Sequence, residues 1–316
     1  MALKRRNRYG LSVNLNYKTP SIMKLSLFSV SYAGFWGQDS LNLTDFISKS
    51  AQLGYNSVMI AGKRPHLSPL DTDDEKIATV KAALSENHID CSVIGGYTDL
   101  SASAAVEVPY LEMQIAYVES LCRIAADLGA PVVRVFTAYE LETQNPHAAW
   151  AAVVSALQEM CDRAAGHGVT LAVQNHHDIG VHTDALLEMV GDIDRKNCKV
   201  GFDAWSPALR GEDLYQAAKK MAPHTAITTN ADYIRLKRFV YQPELINYRK
   251  AEPDLVRAVK FGEGFIDYKN FFRGLRDGGF DGVANYEMCS PIRGGGSAEN
   301  LDTYAANYLK WMKENA

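Results

Sequence analysis

No stretch of this chain approaches the roughly 18 consecutive apolar residues of a membrane-spanning helix, so a membrane partner is not expected. It also lacks the GxGxxG turn that would follow the first strand of a dinucleotide-binding sheet. Basic excess is missing too. The net charge of −4 argues against a nucleic-acid surface, which needs clustered Lys and Arg. The five cysteines (Cys91, Cys122, Cys161, Cys198, Cys289) are odd in number and show no CxxC spacing. They read as reduced thiols, consistent with a cytoplasmic protein.

What is present is a repeating unit. Helical stretches end in a small-residue turn and a short β-rich run follows at once, as in AQLGYNSVMI, AADLGAPVVRVF, AAGHGVTLAVQ and DGGFDGVANYE. A glycine after an amphipathic segment can adopt the left-handed cap that ends a helix. The runs that follow are short and apolar on both faces, as in a covered parallel sheet. Strands are expected at 24–30, 57–61, 91–95, 131–136, 169–174, 198–203, 225–229 and 282–287. Helices are expected near 42–53, 73–88, 108–129, 147–166, 183–190, 212–221, 267–277 and 298–314. Eight such alternations in 316 residues predict one α/β domain, a single (β/α)8 barrel, over 23–316.

Two segments fall outside the rhythm. Residues 1–22 carry Lys4, Arg5, Arg6, Arg8 and Lys18 with no acidic residue and no apolar period, and read as a flexible basic extension. Residues 230–266 show no helical pattern and contain Pro243 and Pro253. A loop this long is usually functional. It is expected to be a lid over the active face or a dimer contact, and the protein a homo-oligomer.

In a barrel, residues at the carboxyl ends of separate strands converge on one rim, where the chemistry is done. Three runs end there in polar groups: Gln174, Asp203 and Glu287. Carboxylates are the ligands that hard divalent cations prefer. A buried carboxylate such as Glu287 needs a cation, a metal or a proton. After Gln174 come Asn175, His176 and His177, and an imidazole there suits acid–base work. His177 is the preferred candidate, His176 the other. His66, Tyr97 and Arg134 follow or lie in strands two, three and four, and are expected to line the pocket. Trp205 offers an apolar face for a sugar ring. Arg293 precedes three glycines and Ser297 at the start of the last helix, a place for substrate or phosphate contact.

Taken together, LAVQNHHD, VGFDAW, GEGFIDY and FDGVANYE resemble the sugar phosphate isomerase/epimerase family with the xylose isomerase-like barrel, over roughly residues 24–315. The resemblance implies a divalent Mn, Mg or Co held by Glu, Asp, His and Glu at four strand ends. Gln174 stands at the first Glu, Asp203 at the Asp and Glu287 at the last Glu. The His position falls in ITTNADY, at Thr229 with Asn230 beside it, and Asn230 is the candidate ligand. Two of four ligands therefore depart from the pattern. A small sugar is the implied partner. The implied activity is an isomerase or epimerase that moves a proton alpha to a keto-sugar carbonyl through an enediolate. The alternatives are a β-eliminating lyase or hydratase on a 3-keto-glycoside, and a metal-free sugar-binding pseudo-enzyme or subunit.

Overall fold

The computed structural model describes residues 23–101 and 107–316, so the basic segment 1–22 lies outside the described residues. Seven strands come first, each but the last followed by a helix: β1 (Lys24–Phe28), β2 (Ser57–Ala61), β3 (Asp90–Gly95), β4 (Val132–Val135), β5 (Thr170–Gln174), β6 (Cys198–Gly201) and β7 (Thr225–Asn230). A long antiparallel hairpin, β8 (Asp232–Gln242) and β9 (Asn247–Val259), separates β7 from the last barrel strand, β10 (Val283–Tyr286). The helices are α1 (Leu43–Gln52), α2 (Asp74–Glu86), α3 (Tyr110–Leu128), α4 (Pro146–Gly166), α5 (Thr183–Ile193), α6 (Trp205–Arg210), α7 (Leu214–Met221), α8 (Tyr268–Asp277) and α9 (Ala298–Asn315).

β1 to β7 and β10 close into a parallel barrel in the order β1-β10-β7-β6-β5-β4-β3-β2. All eight expected strands are present, with ends displaced by up to two residues. Local chemistry explains the helix limits. Asn42, Asp73, Asn145, Asp213, Asp267 and Ser297 each accept a backbone N–H at a helix start. Gly129 ends α3 in the left-handed region, φ +72°.

Strand alternation divides the core in two. One large cluster packs helices against the outer strand faces. A smaller one, with Phe28, Met59, Val93, Val132, Ala172 and Ile227, fills the barrel interior. Gly95 faces inward, where a Cβ would approach Phe28 Cζ at 2.8 Å and Arg134 Nη2 at 3.1 Å. Its missing side chain leaves room for the guanidinium that β4 sends into the barrel.

Most of the segment expected as a loop at 230–266 is a ribbon, β8 and β9 over residues 232–259. Period-two pairing runs from Asp232↔Val259 to Gln242↔Asn247 with one irregularity near Leu236. Its outer part exposes Phe239, Tyr241, Ile246 and Tyr248. Its root is fixed by buried Asp232. The Oδ1 of Asp232 accepts from Tyr233 N (2.9 Å), and Oδ2 accepts from Gly262 N (2.9 Å) and Gly264 N (2.8 Å). Asp232→Ala leaves three amides without their acceptor and should lower stability by about 2–3 kcal/mol, read from the denaturant midpoint. An unchanged midpoint would remove Asp232 as the anchor of the hairpin.

Candidate active site

The carboxyl ends of the strands bring together two carboxyls, an amide and a guanidinium. Asp203, just beyond β6, is 5% exposed. Its Oδ1 accepts from Trp205 N (2.6 Å), and its Oδ2 accepts from Gln174 Nε2 (3.0 Å). Asn175 holds the Asp203 backbone on both sides, accepting from Asp203 N (2.8 Å) and donating to Asp203 O (2.9 Å). Burial and the neighbouring Glu287 push the Asp203 carboxyl up to about 7. Glu287, just beyond β10, keeps a small opening to solvent yet is surrounded by protein. Burial raises its pKa as well, opposed by the positive charge of Arg134.

Gln174 ends β5 with its amide committed. Nε2 donates to Asp203 and to Thr229 Oγ1 (2.9 Å), while its buried Oε1 has no partner among the described residues. Thr229, not Asn230, is the β7 residue facing inward. Asn230 is turned the other way and donates to Asn285 O (2.9 Å) and Tyr308 OH (3.3 Å) against α9. Strand parity accounts for the difference: consecutive residues point to opposite faces.

The two histidines lie beyond β5 on a strained turn, with His177 at φ +68°. His177 stacks on Tyr139 at 4.0 Å between centroids. Its Nε2 donates to Thr98 O (3.1 Å), so in the neutral ring Nδ1 carries no proton, and it faces His176 Nδ1 at 2.8 Å. His176 Nδ1 accepts from His177 N (2.8 Å). Its Nε2 has no hydrogen-bond partner among the described residues. The geometry therefore favours His176 over His177 as the imidazole available to a ligand. Burial first, then His177 and Arg134, lowers His176 to about 4, so it is neutral at physiological pH.

The remaining sequence candidates separate. Arg134, in β4, is 2% exposed and lies over the Phe136 ring at 3.9 Å and the Tyr97 ring at 5.0 Å. The Tyr97 hydroxyl is buried without a partner among the described residues. Trp205 packs on Tyr233 at 4.2 Å, where the hairpin root borders the site. His66 is fully buried, with Nδ1 2.9 Å from Ser29 Oγ and Nε2 3.3 Å from Leu41 O, so neither nitrogen is free for a ligand. Arg293 is exposed, and its carbonyl is held by Asn300 Nδ2 (3.0 Å) and Tyr304 OH (2.9 Å). Two residues at the rim carry no mark in the sequence. Lys63, just beyond β2, places Nζ 3.7 Å from the Tyr97 ring centroid. Cys289 lies 3.4 Å from Tyr233 OH. A surface cavity lies at the opposite end of the barrel, among Lys24, Leu84, His88 and Asp90 at the amino-terminal end of the strands.

The donor set does not fit the four-ligand metal cage that the resemblance implies. No group of three His, Cys, Asp or Glu converges among the described residues. In place of a third carboxylate, Gln174 presents an NH2 group to Asp203, a donor where a cation needs lone pairs.

Asp203 gives a signed pH test. An acid whose pKa rises on folding holds its proton more tightly when folded. Its stabilising contribution is complete below the unfolded value, about 3.9, and is lost as pH rises through about 7. Asp203→Asn should flatten that part of the stability profile and be at least as stable as wild type at about pH 8. A variant less stable there, with the slope unchanged, would show that Asp203 is an ordinary ionised carboxylate.

Several comparisons agree on the architecture. The family model for the xylose isomerase-like TIM barrel matches residues 47–315. No curated protein matches the sequence. Among solved structures, the D-allulose 3-epimerase of a Methylomonas species superposes with a TM-score of 0.72 at 15% identity, covering 94% of this chain and 98% of its own. The probable 3-DHS dehydratase of petrobactin synthesis from Bacillus anthracis gives 0.70 at 16% identity, covering 92% and 99%. The 3-keto-D-glucoside 4-epimerase of E. coli gives 0.68 at 15% identity, covering 93% and 100%. At these identities the structures share the fold alone, while the match of the family model over most of the chain places this protein in the xylose isomerase-like TIM barrel family.

Proposed function

We propose that the protein is an enzyme that removes a proton from the carbon beside the carbonyl of a keto-sugar or related small polyol, with Glu287 as the base. The observation that carries this reading is Glu287 itself. It is a recessed carboxylate at a strand end, raised in pKa by burial and facing a second raised carboxyl, Asp203. A base works best when its pKa lies near the operating pH, and burial moves Glu287 in that direction. The similarity to two sugar epimerases and a probable dehydratase supports the substrate class and the carbon-acid chemistry.

The chain's own residues can complete the reaction. Asp203, protonated up to about pH 7, can donate a hydrogen bond to the developing enolate oxygen. Gln174 Oε1 and the Tyr97 hydroxyl offer an acceptor and a donor to sugar hydroxyls. His176 Nε2 supplies a neutral imidazole for returning or delivering a proton. Trp205 and Tyr233 cover one side of the mouth and exclude water.

Two outcomes share the enolate. Return of a proton to the opposite face gives an epimer or isomer, and departure of a β-hydroxyl or glycosidic oxygen gives an elimination product. Elimination is favoured by one observation, the amide at Gln174, which cannot accept a proton as a second carboxylate would. The donor set leaves the proton transfers to Glu287 and His176.

The test is deuterium incorporation from heavy water into keto-sugars, followed by mass spectrometry and by ultraviolet absorbance for an enone. Exchange should fall by about 10²–10⁴-fold in Glu287→Gln. It should fall in His176→Ala, and in His177→Ala through loss of the support His177 gives His176. The wild-type exchange rate should rise with pH through a pKa above the ordinary glutamate value of about 4.3. Exchange unaffected by Glu287→Gln would remove this carboxylate as the base.

A further inference from the structure

Arg134 is a buried cation with no direct hydrogen-bonding or ion-pair partner among the described residues. The residue is 2% exposed, and the Nε of its guanidinium is buried without a partner. Aromatic faces of Phe136, Tyr97 and Phe28 surround it at 3.9, 5.0 and 5.6 Å. Cation–π contact attracts a guanidinium but supplies no acceptor for its five N–H groups. Arginine cannot relieve the cost of burial by releasing its proton.

A second cation approaches the same aromatic surface. Lys63 Nζ lies 3.7 Å from the Tyr97 ring centroid and 4.7 Å from that of Phe35, with no carboxylate partner among the described residues. Burial, and then the charge of Arg134, lowers its pKa. Tyr97 therefore stands between two cations with its own hydroxyl unpartnered. Glu287 is near enough for Arg134 to oppose the rise of its pKa, but neither Glu287 nor Asp203 forms an ion pair or hydrogen bond with Arg134 or Lys63 among the described residues.

We infer that Arg134, Lys63 and the Tyr97 hydroxyl form an oxyanion subsite, so the substrate is an acidic sugar derivative carrying a carboxylate or phosphate. A planar guanidinium can hold two oxygens of such a group, and the ammonium adds a point charge beside it. This rests on the proposed function in taking the ligand to be the substrate, but its readout is binding, which needs no turnover.

Calorimetric titration at matched ionic strength would compare gluconate, glucose 6-phosphate and neutral glucose. Gluconate or glucose 6-phosphate should bind at least about tenfold more tightly than glucose, a difference of about 1.4 kcal/mol. Preference for gluconate identifies a carboxylate subsite, and preference for glucose 6-phosphate a phosphate subsite. Lys63→Met, at a partly exposed position, should weaken that preference several-fold. Arg134→Met should abolish it. Glucose binding as tightly as both anions, binding by none of the three, or an unchanged preference in Lys63→Met would overturn the subsite. An intact anion preference without deuterium exchange into any keto-sugar would leave the subsite standing and contradict the proposed chemistry instead.

Discussion

Charge enclosed without water has to be met by opposite charge, by hydrogen bonds or by a change of protonation, and the inside of this barrel is organised by that requirement. The rim holds Asp203, Glu287 and Arg134 within one shell of apolar and aromatic side chains. Asp203 draws on a backbone amide and the Gln174 NH2. Glu287 has Arg134 as its opposing charge, and Arg134 has only ring faces around it. The compensation is incomplete in both directions. Burial pushes both acids toward their protonated forms, so the rim is less negative than a residue count suggests.

The scaffold makes this imbalance tolerable. The outer shell, where helices cover the strands, is continuous and apolar, and it supplies the stability against which a few poorly compensated groups can be set. Inside, small residues make room for long ones. Gly95 admits the Arg134 guanidinium, and Gly201 lies beside Gln174 in the β5–β6 register. The hairpin adds Tyr233 to the mouth and is tied to the barrel through Asp232.

Much of this was legible in the sequence because it depends on local rules. Short apolar runs, four of them after glycine caps, located all eight barrel strands, and the polar ends of three located Gln174, Asp203 and Glu287. What local rules could not supply was facing. In TTN the inward residue is Thr229, and Asn230 serves the packing of α9, which only the register of β7 decides. His176 and His177 could be ranked only once Thr98 and the strained turn were in place. Lys63 has no local mark that separates it from its neighbour Arg64, which is exposed and paired with Asp71. Barrel closure is what brings Lys63 to Tyr97. The hairpin went unread because both of its faces are largely exposed, leaving no buried side to mark its alternation.

The amide at Gln174 carries the largest consequence. It puts an amide where the resemblance implies a carboxylate, provides a donor that Asp203 uses, and in the proposed chemistry leaves Glu287 as the base. The most direct measurement is the titration of the side-chain carboxyl carbons by 13C NMR, assigned with Asp203→Asn and Glu287→Gln. The Asp203 signal should titrate near 7 and that of Glu287 above the ordinary glutamate value. If both titrate at or below about 4, the rim is fully ionised and the account of its charge is wrong.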